Sequence, residues 1–461
     1  MTAKNPLLVP ELRNLLANGN TKALQEFCSE GHPADIAELI SALPGQEALS
    51  LLSYIDLPLR AEIFSHLDDD LQVEMIDILR REEIVRIVSE MPHDERADLF
   101  KRLPEEKRED LLPALARAER EDIRRLTSHV DGTAGAVMTS DYATLSSEMT
   151  SAQAIEHLRK VAPDRETIYY AYVVDKSRNL LGFVSLKDLI LARRNDLIGA
   201  IMHRDVIFAH VEDDQEDAAR KIQKYDLLAL PVINDEGALM GIITHDDAMD
   251  IITQEYTEDV EKLMAISGRH EEAVYMKTSA WDHFKNRSPW VIMLGFLGLV
   301  SGFIVQSFEG LLSQFVILAA FMPMLADTGG NTGSQSATLV IRALALNEVS
   351  PRDIFKILGK ELQVALMLGL LLSVIAFGRV VFFGGGSTGT DGFSLVAIGW
   401  AIALALGLQV VTSTLIGALL PMAAARIKLD PAVVASPALT TIVDMTGLLI
   451  YFTTVKLMLG I

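Results

Sequence analysis

The chain has 461 residues, enough for about three domains at roughly 100–200 residues each, with 41 basic and 62 acidic side chains and a formal charge of −21. The imbalance sits in residues 1–284, with 31 basic against 54 acidic residues and a charge of −23; residues 285–461 hold 10 against 8, a charge of +2. So acidic a first part argues against nucleic-acid partners and suits the attraction of cations, while the single Cys28 rules out an internal disulfide and fits a reducing compartment.

The opening stretch, MTAKNPLLVPELRNLLANGN, lacks a charged start followed by an apolar run, so no cleaved leader is expected. Residues 1–130 read as helical throughout. Apolar side chains recur at three- and four-residue spacing in ADIAELISALP, RAEIFSHL, EEIVRIVSEMP and RADLFKRLPEEKREDLLPAL, with short helices often stopped by Pro or Asp. The pattern predicts a superhelix of stacked short helices or, equally, an irregular bundle.

Residues 137–254 alternate strands with helices, and they repeat. NLLGFVSLKDLI at 179–190 matches ALMGIITHDDAM at 238–249, and each follows a β-rich run, YAYVVD and LALPVIND. Gly182, Ser185 and Asp188 recur as Gly241, Thr244 and Asp247. The two halves, 137–200 and 201–254, resemble a tandem pair of CBS motifs, an α/β module that packs in twos and often senses adenine nucleotides or ions. That resemblance implies a site that could hold ATP, with Tyr170 and Asp188 as candidates. The residues alone also support a plainer reading, in which Ser185 and Thr244 are helix N-caps.

Acid density peaks around the second repeat. EDDQED at 212–217 includes Asp213, Asp214, Glu216 and Asp217; Asp226, Asp246, Asp247 and Asp250 follow, then Glu255, Glu258 and Asp259. Such runs are often solvated helix faces. Brought together without cations, however, carboxylates about 4 Å apart repel by about 4 kcal/mol at an effective dielectric near 20, and divalent ions between them reverse the sign. The cluster is therefore a candidate cation sensor, a two-state element that a ligand can bias. Residues 254–280 are expected to form a polar helix joining this sensor to the membrane, within a connecting segment at 255–284.

From residue 289 onward, apolar stretches recur at the roughly 20-residue length that a bilayer core demands. Five spans are expected, at 289–307, 311–341, 358–383, 394–424 and 433–459, the second and fourth long enough to require tilt, breaks or overhang. Arg342, Arg352, Lys356 and Lys360 lie between spans two and three, and Arg426 and Lys428 between four and five, whereas the other two loops carry only Glu309 and Asp391. Basic loops face the cytoplasm. The chain is thus expected to be a multi-pass protein of the inner cell membrane, with residues 1–284 cytosolic and the C-terminus outside.

Span two contains PMLADTGGNTGSQSATLVIRAL, in which Pro323, Gly329, Gly330 and Gly333 crowd around Asp327 and Asn331; helix-breaking residues at this depth predict a buried span. Span five contains SPALTTIVDMTGLLIYF, where Ser436, Thr440 and Asp444 share one helix face. An intramembrane carboxylate is costly and marks function by default. An all-oxygen face suits magnesium or calcium, and magnesium is held through its waters by one or two carboxylates.

These two motifs, the five spans and the preceding CBS pair resemble the MgtE family of bacterial magnesium channels over essentially the whole chain. The resemblance implies a multidomain fold: an all-α superhelical N-terminal domain at 1–130, an α/β CBS pair, and a polytopic α-helical membrane domain of five spans at 285–461. It further implies a homodimer among membrane lipid whose pore is lined by spans two and five, with Asp444 holding hydrated Mg2+ and Asn331, Thr440 and Ser436 beside it. Regulatory magnesium would bind between the cytosolic domains, where Asp94 and Asp98 join the acidic cluster, and close the pore through the connecting helix. Three functional rivals stand beside this reading, and so does a structural one in which Asp444 is protonated or hydrogen-bonded between helices. A secondary carrier of divalent cations also uses intramembrane Asp, although no inverted repeat is visible. ADTGG resembles the Asp-Thr-Gly of aspartic proteases, so Asp327 and Asp444 could form an intramembrane dyad. A CBS-regulated anion channel conflicts with the acidic candidates. Finally, Gly298 and Gly302 form a small-residue motif for packing helices or joining subunits.

Overall fold

The computed structural model describes residues 9–18, 20–162, 167–266, 278–346, 348–383, 392–427, 429–431 and 436–460. Two compact units divide it, residues 1–253 and 254–461.

Among the described residues, ten short helices, α1 (Val9–Ala17) to α10 (Arg117–Leu126), open the first unit. Among them are α3 (Pro33–Ile40), α4 (Gly45–Leu52), α5 (Leu57–Ser65), α6 (Asp69–Ile78), α7 (Arg81–Glu90) and α8 (His93–Arg102). Packing skips one helix at a time: α3 on α5, α4 on α6, α5 on α7, α6 on α8, and α8 on α10. That order is a stacked superhelix, because a helix too short to bury its own face uses both neighbouring layers. The shared core runs from Leu12 through Phe64 and Phe100 to Ile123. Buried Gln72 pins one turn, its amide donating to the carbonyls of Phe64, Ser65 and Leu67. At the end of the superhelix, His93 lies 2.9 Å from Asp122 and 3.4 Å from Asp141, and Ser140 donates to Asp122, joining α8 and α10 to the segment that follows.

Two three-stranded sheets come next. In the first, β1 (Tyr142–Leu145) runs parallel to β2 (Thr167–Val174), and β3 (Leu180–Ser185) is antiparallel to β2; α11 (Ser151–Val161) makes the crossover. The second repeats this with β4 (Ala209–His210), α14 (Gln215–Tyr225), β5 (Ala229–Ile233) and β6 (Leu239–Thr244). Between the sheets lie α12 (Leu186–Leu191) and α13 (Ile198–Ile201). The recurring glycines have one physical reason: a Cβ at Gly182 would strike the His203 carbonyl, and one at Gly241 the Thr139 carbonyl, where linker backbone crosses each sheet. The repeats meet along Tyr142, Tyr172, Ile233 and Leu239.

The helix after the second sheet, α15 (His245–Leu263), ends well short of the membrane segment: Ala265 adopts φ 55° and the next described helix starts at Ala280. The expected helix across 254–280 is therefore observed only as far as Leu263, and residues 267–277 of it lie outside the described residues.

The second unit is helical: α16 (Ala280–Ser307), α17 (Glu309–Gln314), α18 (Met322–Ala345), α19 (Ile354–Phe383), α20 (Leu395–Arg426) and α21 (Ser436–Leu459). Among the described residues four helices, α16, α19, α20 and α21, are long and apolar enough to cross a membrane. The fifth expected span, α18, has 24 residues and reaches about 36 Å at 1.5 Å per residue, but its Gly, Ser, Thr and Asn make it more polar. The surplus length of that span is broken off as α17 and a tight 3-10 turn at Val316–Phe321, and Pro323 stands in the first turn of α18, where its missing N–H costs nothing. Tyr451 of α21 is fully buried and donates to the Leu318 carbonyl, fixing that turn. Central α20 packs against α18, α19 and α21, while α16 packs on α21 and contributes no buried residue.

Candidate metal centres

Span two was expected to be buried; α18 runs continuously through its glycines, which are points of close approach. A Cβ at Gly329 would strike the Gln409 amide, one at Gly330 would lie 3.0 Å from the Thr440 methyl, and one at Gly333 3.2 Å from the Ser413 carbonyl. Only this face is buried; Pro323, Ala326, Asp327, Asn331 and Gln335 form an exposed, largely polar stripe on the other. Within the stripe Asn331 donates to Asp327 at 3.3 Å.

The glycines of α18 and α21 converge on Gln409, a residue that the spacing of motifs did not single out. It is 1% exposed, and its amide donates to the Leu325 carbonyl at 3.1 Å while a Cβ at Gly447 would strike it from the other side. The Gln409 side chain thus ties α20 to the first turns of α18 and to the turn of α21 that follows Asp444.

Asp444 lines a cleft of about 380 Å³ between α16, α18 and α21, together with Ser301, Leu325, Ala326, Thr441 and Leu448. Among the described residues its Oδ1 is enclosed and accepts no hydrogen bond. Thr440 instead turns its methyl toward Gly330, and Thr441, one residue off the predicted line, is the threonine that lines the cleft. Ser436 opens α21, but its side chain lies outside the described residues. Asp327 does not line the cleft, and no hydrogen bond joins it to Asp444 among the described residues, so the carboxylate pair that a protease dyad needs is not assembled.

In the first unit the acidic run expected to repel itself is largely paired by its own helix. Asp213 meets Lys221 at 3.0 Å, Glu216 pairs with Arg220, and Asp217 lies 3.7 Å from Arg220. Asp214 caps α14 by accepting from the Glu216 N–H at 2.8 Å, and Asp226 closes the same helix at φ 52°. Among the described residues no group of three His, Cys, Asp or Glu side chains is gathered as a ready metal site.

A different set of carboxylates carries the electrostatic tension. Asp94, Glu95 and Asp98 lie on α8, and Asp246, Asp247 and Asp250 on the first turns of α15. Burial pushes the Glu95 carboxyl up to about 7, and the charges of Asp98 and Asp247 add to it. Burial likewise raises Asp247, with Asp246 and Asp250 adding, although its capping bonds with Thr244 oppose the rise. Farther along α15, where Glu255 and Asp259 also lie, Glu258 is held by Lys262 at 2.8 Å, and Lys262 reaches Asp430 in the loop before α21 at 2.9 Å.

Near the first sheet Ser185 is the N-cap of α12 that the plainer reading foresaw, and Asp188 completes the capping box. The Asp188 Oδ2 accepts from the Ser185 N–H at 3.1 Å and the Ser185 hydroxyl at 2.5 Å, and lies 3.1 Å from His203 Nε2. Burial alone would raise this carboxyl; the Ser185 and His203 bonds outweigh it and hold it low. His203 stacks on Phe183, whose edge meets Tyr170 at 5.3 Å, so both nucleotide candidates border one aromatic group.

Comparison with known proteins follows the same division. The MgtE divalent cation transporter family matches residues 322–454, the MgtE intracellular N domain residues 31–132, and the CBS domain residues 134–195 and 198–254. The magnesium transporter MgtE of Thermus thermophilus is 37% identical over 455 residues, covering 98% of both chains. That of Bacillus subtilis is 35% identical over 331 residues, 72% of this chain and 70% of the relative. Among solved structures, the soluble part of a magnesium transporter is 32% identical with a TM-score of 0.51, over 54% of this chain and 97% of that one. The cytosolic domain of the Mg2+ channel MgtE in complex with ATP is 34% identical with a TM-score of 0.50, over 53% and 99%.

Proposed function

Because the chain belongs to the MgtE family of divalent cation transporters, we propose that it is a magnesium channel of the cell membrane, admitting Mg2+ and closing when cytosolic magnesium is plentiful. The observation that carries this reading is Asp444: a carboxylate in a membrane helix, facing a cleft, with an enclosed oxygen that accepts no hydrogen bond among the described residues. Such a group is stabilised by a cation or by water. Six waters at about 30 Å³ each make a hydrated magnesium of about 180 Å³, which a cleft of about 380 Å³ accommodates. The protein then needs to shed few of the waters that magnesium gives up reluctantly.

The exposed stripe on α18 supports a homodimer, since Asp327, Asn331 and Gln335 at membrane depth are better placed against a second polar surface than against lipid. The basic residues around the α18–α19 and α20–α21 loops support a cytosolic first unit and an outward C-terminus. Regulation fits the carboxylates of α8 and α15, where a divalent cation would favour the ionised form of Glu95 that burial, and then the charges of Asp98 and Asp247, disfavour. ATP at the first sheet is supported by the ATP-bound relative and by Tyr170 and Asp188 bordering one aromatic group. The test is magnesium flux into liposomes carrying the purified protein. Asp444→Asn, which keeps size and loses charge, abolishes flux while the protein still inserts; wild-type flux in that variant overturns the ion-site reading. Single-channel currents above carrier turnover separate the channel from a carrier.

A further inference from the structure

We propose that Gln409 is a positioning residue for ion passage: its amide sets the spacing of α18 and α21, the two spans expected to line the pore, beside Asp444; this rests on the reading of Asp444 as the ion site. Gln409, Ser413 and Gly417 follow one another at four-residue spacing on one face of α20, and all three are buried. Gly329 and Gly333 of α18 meet them. At Gly333 the two helices touch backbone to backbone: a Cβ there would lie 3.2 Å from the Ser413 carbonyl oxygen, and one at Gly417 2.9 Å from the Gly333 carbonyl carbon. One turn away a Cβ at Gly329 would meet the Gln409 side chain instead, its Cδ at 3.2 Å, and a Cβ at Gly447 of α21 would meet the same amide, with Oε1 at 2.9 Å. The amide thus lies against glycines of both spans and holds them off α20 where the backbones could otherwise close.

Both spans are gripped next to the cleft. Leu325, whose carbonyl accepts from Gln409 Nε2 at 3.1 Å, lines it, and Gly447 is a surface neighbour of Asp444, three residues on along α21. An apolar side chain of the same length would fill the space and leave no polar atom behind. Gln409 instead keeps Oε1 enclosed with no hydrogen bond among the described residues, and such burial costs stability. A side chain selected for packing alone would shed that oxygen. What an amide adds is the bond that fixes the Leu325 turn, and with it one wall of the cleft at Asp444, to α20.

The test is Gln409→Met in the full chain, which keeps length and volume and removes the donor and the enclosed oxygen together. The thermal midpoint of the purified protein is expected to equal or exceed that of the wild type. The magnesium concentration for half-maximal flux into liposomes is expected to rise about tenfold, the factor that one lost hydrogen bond implies. A side chain that only fills space predicts the opposite pattern, a lower midpoint and a smaller maximal flux at an unchanged half-saturating concentration. That pattern, a Gln409→Met chain that fails to fold, or wild-type flux at every magnesium concentration overturns the proposal. Gln409→Asn, one methylene too short to reach Leu325, is expected to shift half-saturation in the same direction, and wild-type saturation in that variant also overturns it. Asp444→Asn measured in parallel separates the two readings. If Asp444→Asn conducts normally while Gln409→Met shifts half-saturation, the carboxylate reading fails and the positioning role stands. If Asp444→Asn is silent and Gln409→Met saturates as the wild type does, only the positioning role fails.

Discussion

Replacing Gly417 with alanine tests whether close backbone contact sets the geometry of the membrane unit. A Cβ at Gly417 of α20 would fall on the Gly333 carbonyl oxygen of α18, with the Gly333 carbon 2.9 Å and its Cα 3.0 Å away. No side chain can rotate out of the way, because every atom met is backbone. Restoring ordinary contact near 3.4 Å requires the helices to part by about 1 Å, which forfeits a quarter to a half of the attraction of each atom pair along the seam. With some 20–30 such pairs at about 0.1–0.2 kcal/mol each, the loss is about 1–3 kcal/mol, in line with overpacked cores. The same displacement carries Leu325 and Ala326 away from the cleft that holds Asp444. Thermal unfolding of the purified chain is expected to show a midpoint lower by about 2–6 °C, and liposome flux is expected to fall. Gly359→Ala is the control: nothing lies within 4 Å of its Cβ, so the substitution is expected to be neutral or to stabilise by about 0.5–1 kcal/mol. A Gly417→Ala protein as stable and active as this control would refute the argument.

Glu95 predicts a pH dependence with a definite sign. Its folded value of about 7 lies above the ordinary 4.5, so the folded state holds the proton more tightly, and stability falls as pH rises from about 4.5 to 7, by at most about 3 kcal/mol. Glu95→Gln is expected to flatten that fall in magnesium-free unfolding between pH 5 and 8, and to weaken the rise of magnesium affinity over the same interval; an unchanged profile would refute it. Lys262→Met removes the cation shared by Glu258 and Asp430. The pair is partly exposed and worth at most about 1 kcal/mol, so folding is expected to be nearly unchanged while the magnesium concentration for half-closure rises by up to about fivefold; a lower midpoint would speak against the tether.

Much of the architecture was legible because it depends on local pattern. The spacing of apolar residues marked the short helices, the recurring Gly, hydroxyl and Asp marked the two sheets, and Pro323 marked the break before α18. The choice between superhelix and bundle was not legible, since it depends on which helix each face meets. Nor was Glu95, which in HDERADLF looks no different from Asp94 or Asp98; its burial depends on α15, some 150 residues later. The acidic run at 212–217 misled in the opposite direction. Arg220 and Lys221 were visible one and two turns downstream, and helical spacing alone places Arg220 beside Glu216.

The membrane site shows the same limit in another form. Asp444 stood out because charge is costly in a membrane, and its cost can be judged from one letter and its neighbours. Gln409 did not, because an amide is tolerated in such helices and gains meaning only from what lies across the gap. That is a carbonyl of α18 and a glycine of α21. Its role concerns how closely helices approach, and glycines decide this: Gly329, Gly333, Gly417 and Gly447 bring α18, α20 and α21 together. The glycine pattern therefore shapes the cleft as much as the carboxylate charges it, which is why a methyl group at Gly417 is expected to impair flux without touching an ionisable residue.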